Sequence, residues 1–169
     1  MKERKMPDMG KEAKTNAMRF LDKNKIAYTV QTYQCDEFID GIHTAEKLGQ
    51  PLEETFKTLV AHGKSGEYYC FLLPVAQELD LKKAARSVDE KSVELLHVKD
   101  ITKVTGYVRG GCTPIGMKKQ FMTVIHSSAE PMELFYMSGG RIGTQIRLSP
   151  SELVKAIRGK FSDIIAEQE

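Results

Sequence analysis

A single mixed α/β domain is what this sequence predicts, and three observations predict it. Its 169 residues suit one hydrophobic core better than two. Segments with helical apolar spacing alternate with β-branched and aromatic runs of strand length. Hydrophobic residues make up 41% of the chain and charged residues 28%, ordinary proportions for a globular protein.

Residues 14–24 form the first predicted helix, because Ala17, Phe20 and Leu21 fall at i, i+3 and i+4 and Thr15 or Asn16 can cap it. Residues 28–33 read as a strand, with Tyr28 and Val30 alternating with polar neighbours. An acidic connector over 35–41 leads to a short helix over 43–48 that Gly49 stops, and Pro51 begins a turn. Residues 56–62, a glycine-bearing loop at 63–66 and residues 67–75 predict a β-hairpin whose apolar second arm suits a central strand. Asp80 caps a helix through Leu81, Ala84 and Ala85. Val93 and Leu95 alternate in another short element over 91–98, and residues 100–105 make a helical turn. Strands follow at 123–126, 134–138 and 145–148, the last two joined through Ser138-Gly-Gly-Arg-Ile-Gly143. Ser149-Pro-Ser-Glu152 is a capping box, and Leu153, Ile157, Phe161, Ile164 and Ile165 supply the stripe of a final helix.

Composition excludes several classes. No apolar run approaches the ~18 residues of a membrane span. Residues 1–13 read as a flexible basic tail with no hydrophobic segment behind the charges, so no secretory signal is expected, and residues 14–169 form the domain. Cys35, Cys70 and Cys112 are odd in number and widely spaced, which argues against a disulfide framework and fits a reducing cytoplasm. His43, His62, His97 and His126 show no ligand spacing, so neither a metal nor a cofactor is expected. The net charge of +2 does not identify a partner. Lys82-Lys83 with Arg86, Lys118-Lys119, Arg141 with Arg147, and Lys155 with Arg158 and Lys160 either gather into a basic face or are scattered, solvated charges.

Chemistry concentrates around Gly106-Tyr-Val-Arg-Gly-Gly-Cys-Thr-Pro-Ile-Gly116. Its glycines allow positive φ and close ligand approach, and its N–H groups can converge on an oxyanion or phosphate; a tight connection between strands explains the same residues. Neither GxxxxGK[ST] nor GxGxxG is present. Lys57 interrupts an apolar strand and either points to solvent or brings an ammonium into a cleft, where burial would lower its pKa. Cys112 has no histidine near it in sequence to act as a base, and Ser138 lacks a GxSxG elbow.

Phe56-Lys57-Thr58-Leu59, Pro74-Val75 with Leu79-Asp-Leu-Lys-Lys83, Gly106-Tyr107 through Gly116-Met-Lys-Lys119, and Ser138-Gly-Gly140 with Gly143 occur in an order that resembles YbaK-type aminoacyl-tRNA deacylases. These are similar to the editing domain of bacterial prolyl-tRNA synthetases. The resemblance spans nearly the whole chain from about Thr15. It implies a barrel-like mixed β-sheet surrounded by helices. The implied activity is metal-independent hydrolysis of mischarged aminoacyl-tRNA, typically cysteine on tRNA for proline, acting in trans beside prolyl-tRNA synthetase. By motif match, Lys57 is the essential lysine, Gly110 and Gly111 supply backbone groups near the reacting carbonyl, and Tyr33, Thr58, Ser138 and Gln145 line the substrate pocket. A member of the family has an aspartate at the place of Gln145, and glutamine hydrogen-bonds without ionising. The resemblance also implies attack by the substrate's own sulfur, without a protein nucleophile. The alternatives are a non-catalytic module that binds aminoacyl-tRNA or a synthetase, and a hydrolase of another small ester.

Overall fold

The computed structural model describes residues 13–34 and 39–167. The expected tail, apart from its last residue, lies outside the described residues, as do connector residues 35–38 with Cys35. Five α-helices and eight strands follow in order among the described residues: α1 (Asn16–Lys23), β1 (Tyr28–Thr32), α2 (Gly41–Leu48), β2 (Phe56–Gly63), β3 (Tyr68–Pro74), α3 (Leu81–Ser87), β4 (Val93–Leu95), α4 (Val98–Thr105), β5 (Met122–His126), β6 (Phe135–Arg141), β7 (Thr144–Leu148), α5 (Pro150–Ile157) and β8 (Lys160–Ser162). The mixed α/β architecture is as the sequence predicts. The barrel-like sheet is not closed, because the strands divide into an antiparallel sheet β1-β7-β6 and a mixed sheet β4-β2-β3-β5-β8. An isolated parallel bridge, Thr55 to Tyr136, joins the two.

The main core lies between the sheets. Phe56, Leu72 and Ile125 from the larger sheet meet Phe135, Met137, Ile146 and Leu148 from the smaller one, with Leu21 of α1 and Leu153 of α5 closing the ends. Phe56 and Phe135 pack edge to face at 5.0 Å between centroids. A second cluster, including Phe71, Val124 and Ile164, covers the other face of the larger sheet beneath Ala84 and Ala85 of α3. β3 is therefore covered on both faces, which explains why residues 70–74 are all buried and why its sequence shows no polar alternation.

Caps set the helix starts as the sequence implies. Thr15 Oγ1 accepts from Met18 N–H at 3.1 Å and donates to Gly139 O at 2.6 Å, so it starts α1 and ties it to β6. The final helix is shorter than its apolar stripe suggests. α5 stops at Arg158, which takes φ 55°, and Phe161 lies in β8, paired in parallel with Ile125. Ile164 and Ile165 are pinned beside α3 instead, with Asp80 N–H donating to Ile164 O at 2.8 Å.

Candidate active site

β2 pairs with β3 over residues 56–62 but with β4 only over 61–63, so one edge of its first half is left open. A cavity of about 560 Å³ runs along that edge. Strand alternation sends Lys57 and Thr58 to opposite faces, yet both border the cavity because it wraps the open edge. The smaller sheet supplies Ser138 and Gln145, which face each other in the β6·β7 register. Tyr33 enters from the end of β1, where its N–H donates to Gly143 O at 2.9 Å, and Gly110 comes from the glycine-rich loop.

Lys57 is half-buried, and its Nζ donates to Val75 O at 3.3 Å. Burial lowers its pKa from the usual lysine value, while the negative charges of Glu78 and Asp40 act in the opposite direction. Thr58 Oγ1 and Gln145 Oε1 are buried without a hydrogen-bond partner among the described residues. An unpaired buried polar atom costs about 1–3 kcal/mol, so two of them bordering one cavity mark a surface that a polar ligand completes. Ser138 Oγ accepts from Gly140 N–H at 3.2 Å.

Of the residues singled out from the sequence, Gly111 alone stays out of the cavity. Its N–H donates to Val108 O at 2.9 Å, and a Cβ placed on it would lie 2.8 Å from Arg141 Cα. Glycine is therefore required there for packing against β6, and its N–H is engaged within the loop. Gly110 borders the cavity with φ 87°, in the region that favours glycine. The run connects a helix to a strand, not strand to strand. Cys112 also borders the cavity, but burial pushes its thiol up to about 11, so it is protonated near neutral pH.

The sequence reading missed three charged residues at the rim: Asp40, Glu78 and Arg109. Asp40 was legible as a helix N-cap, since its Oδ1 accepts from His43 N–H at 2.8 Å. Arg109 stands inside the glycine-rich run, whereas Glu78 carries no local signal. Of the basic clusters, Lys83 is bound by Asp163 at 3.0 Å and Glu167 at 3.4 Å, and the Arg147 guanidinium lies over the Tyr136 ring at 5.0 Å. Among the described residues, no three His, Cys, Asp or Glu side chains come together as metal ligands would. No helix among them is long and apolar enough to cross a membrane.

Comparison with known proteins bears out the resemblance. Residues 41–156 match the aminoacyl-tRNA editing domain. EbsC of Enterococcus faecalis, provisionally named a Cys-tRNA(Pro)/Cys-tRNA(Cys) deacylase, is 39% identical over 158 residues, 93% of this chain and 96% of that protein. A solved structure provisionally described as a trans-editing enzyme for prolyl-tRNA synthetase superposes with a TM-score of 0.79 at 21% identity, covering 92% of this chain and 100% of that one. The hypothetical protein APE2540 gives a TM-score of 0.82 at 21% identity, covering 89% and 99%. At such identities these two structures establish the shared fold, while the family match and EbsC carry the relationship in sequence. The chain belongs to the aminoacyl-tRNA editing domain family.

Proposed function

We propose that this chain is a cytoplasmic trans-editing hydrolase that removes the amino acid from mischarged tRNA, with Cys-tRNA(Pro) as its substrate. The observation that carries the proposal is a half-buried ammonium on the same cavity as two unpaired buried oxygens, in a chain of the editing family. The substrate assignment follows the name of EbsC. Action beside prolyl-tRNA synthetase follows the description of the structural relative and is part of the proposal.

In this reading the cavity holds the ester joining amino acid to terminal ribose. Lys57 and the Gly110 N–H face the carbonyl oxygen as negative charge develops, and Thr58 and Gln145 orient the aminoacyl group. The substrate's sulfur loses its proton and attacks the ester carbon. The bond to the ribose oxygen then breaks, that oxygen gains a proton, and a cyclic thioester leaves for water to open. No protein nucleophile is needed, in keeping with the protonated Cys112 thiol. Cys112→Ala is accordingly expected to retain deacylation; total loss would assign the thiol a covalent role.

The experiment is release of labelled amino acid from tRNA for proline charged with cysteine, alanine, serine or proline. Rapid release of cysteine with prolyl-tRNA spared is expected. A second reading, a non-catalytic module that holds the aminoacylated end, is favoured by Gln145, which cannot ionise. Binding without release of any amino acid would establish that reading instead.

A further inference from the structure

The edge strands of the two sheets differ in length and protection. β4 and β8 end the larger sheet with three residues each, short edges of the kind that discourage pairing. In the smaller sheet, β6 is bridged to the larger one through Tyr136 and Thr55, whereas β1 ends the sheet with five residues, of which 29–32 are all exposed. The hydrogen-bond pattern tells which groups of β1 face outward. Tyr33 N–H donates to Gly143 O at 2.9 Å, and Thr29 and Gln31 share its parity, so these residues bond toward β7. Tyr28, Val30 and Thr32 therefore turn their N–H and C=O groups to the open edge, where no strand lies among the described residues. Val30, at the centre, is an apolar side chain left 47% exposed.

We infer that the open edge of β1 is the docking surface for a second copy of this chain, which adds its own β1 antiparallel about a twofold axis and sets Val30 against Val30. In this register Tyr28 faces Thr32 and Thr29 faces Gln31, and the two smaller sheets merge into one.

Three observations select this occupant. First, β1 carries none of the devices that keep sheet edges apart. Its residues Tyr-Thr-Val-Gln-Thr include no charge and no proline, in a chain that is 28% charged, and no bulge breaks its register with β7. Second, the edge is its own complement. Pairing about a twofold axis presents each outward N–H to a C=O of the same strand in the other copy and sets aromatic and β-branched residues across from one another. A foreign peptide would be selected by pockets for its alternate side chains, and the cavity borders none of residues 28–32. Third, the edge is held in place before a partner arrives. On one face Gln31 Nε2 donates to Leu48 O at 3.4 Å and its Oε1 accepts from Gln50 Nε2 at 3.0 Å, and on the other Tyr28 packs against the main core. Pairing then orders little additional chain. A single short strand buries less than a standard interface, so the dimer is weak, with a Kd on the order of 10 μM.

The test is sedimentation velocity of the whole chain over a concentration series that brackets this Kd. The wild type should pass from monomer to dimer. Val30→Pro removes an N–H that β7 does not use, so it should stay monomeric throughout while the melting temperature of the dilute protein is unchanged. Val30→Lys and Val30→Glu should each be monomeric, because like charges then meet at the twofold axis, and an equimolar mixture of the two should dimerise again. The mixture decides the matter even where Val30→Pro fails to fold. A wild type that is monomeric across the series, a dimer that persists in any of the three variants alone, or a Lys and Glu mixture that does not associate overturns the proposal. So does strong hydrogen-exchange protection of the Val30 amide in the dilute wild type, which would make the chain's own residues 1–12 the occupant.

Discussion

The cavity has two walls of opposite character. On the sheet wall, Lys57 is only lightly held, by Val75 O at 3.3 Å, and Thr58 Oγ1 and Gln145 Oε1 have no partner among the described residues. Behind the other wall, the glycine-rich run engages Gly111 N–H on Val108 O, Tyr107 N–H on Thr105 Oγ1 and Tyr107 Oη on Ile115 O at 2.7 Å, although Thr113 Oγ1, away from the cavity, is buried without a partner among the described residues. Glycine density thus marks a path the chain must take, while the unpaired buried oxygens that border the cavity, Thr58 Oγ1 and Gln145 Oε1, mark where a ligand completes the structure.

The largest effect should come from the sheet wall. Lys57→Ala is expected to lower kcat/KM for Cys-tRNA(Pro) by about 10²- to 10³-fold, the scale of losing one donor to a developing oxyanion, with the fold intact. Retained activity would make the lysine a surface charge. Next, Thr58→Val combined with Gln145→Leu removes two unpaired oxygens. Deacylation should fall by roughly tenfold, while the melting temperature holds or rises because no internal hydrogen bond is lost. A fall in both would show that these atoms have partners within the fold.

The glycine-rich run behind the cavity should respond in the opposite sense. Gly111→Ala drives a Cβ against the Arg141 backbone and is expected to cost about 1–3 kcal/mol, lowering the melting temperature while kcat is kept wherever the protein is folded. Loss of kcat without loss of stability would return Gly111 to the chemistry. The smallest effect is on pH dependence. Burial lowers the Lys57 pKa, so an activity that needs its ammonium should decline on an alkaline limb below the ordinary lysine value of 10.5. Glu78 raises that pKa, and Glu78→Gln should therefore move the limb to lower pH. A limb moving upward would contradict this charge pairing.

Much of this contrast was legible in the sequence. Lysine within an apolar strand is a local misfit, and the hairpin and most caps follow from spacing and residue type. The C-terminal region was not legible in the same way, because Phe161, Ile164 and Ile165 continue a helical period. The break comes from Arg158 in the left-handed region, with Gly159 packed close to Thr123 O. The different fates of Gly110 and Gly111 could not be read from adjacent, identical residues, since φ and neighbours distinguish them. Glu78 enters through its distance from Lys57 in the fold, for which the chain carries no signature.

The most direct measurement is an NMR titration with a non-hydrolysable analogue in which cysteine is joined to adenosine through an amide. Signals of the Lys57, Thr58 and Gln145 side chains and the Gly110 amide should shift together, with the Gly111 amide unmoved. A Lys57 signal that stays fixed while the analogue binds, or shifts confined to the glycine-rich loop, would contradict the account.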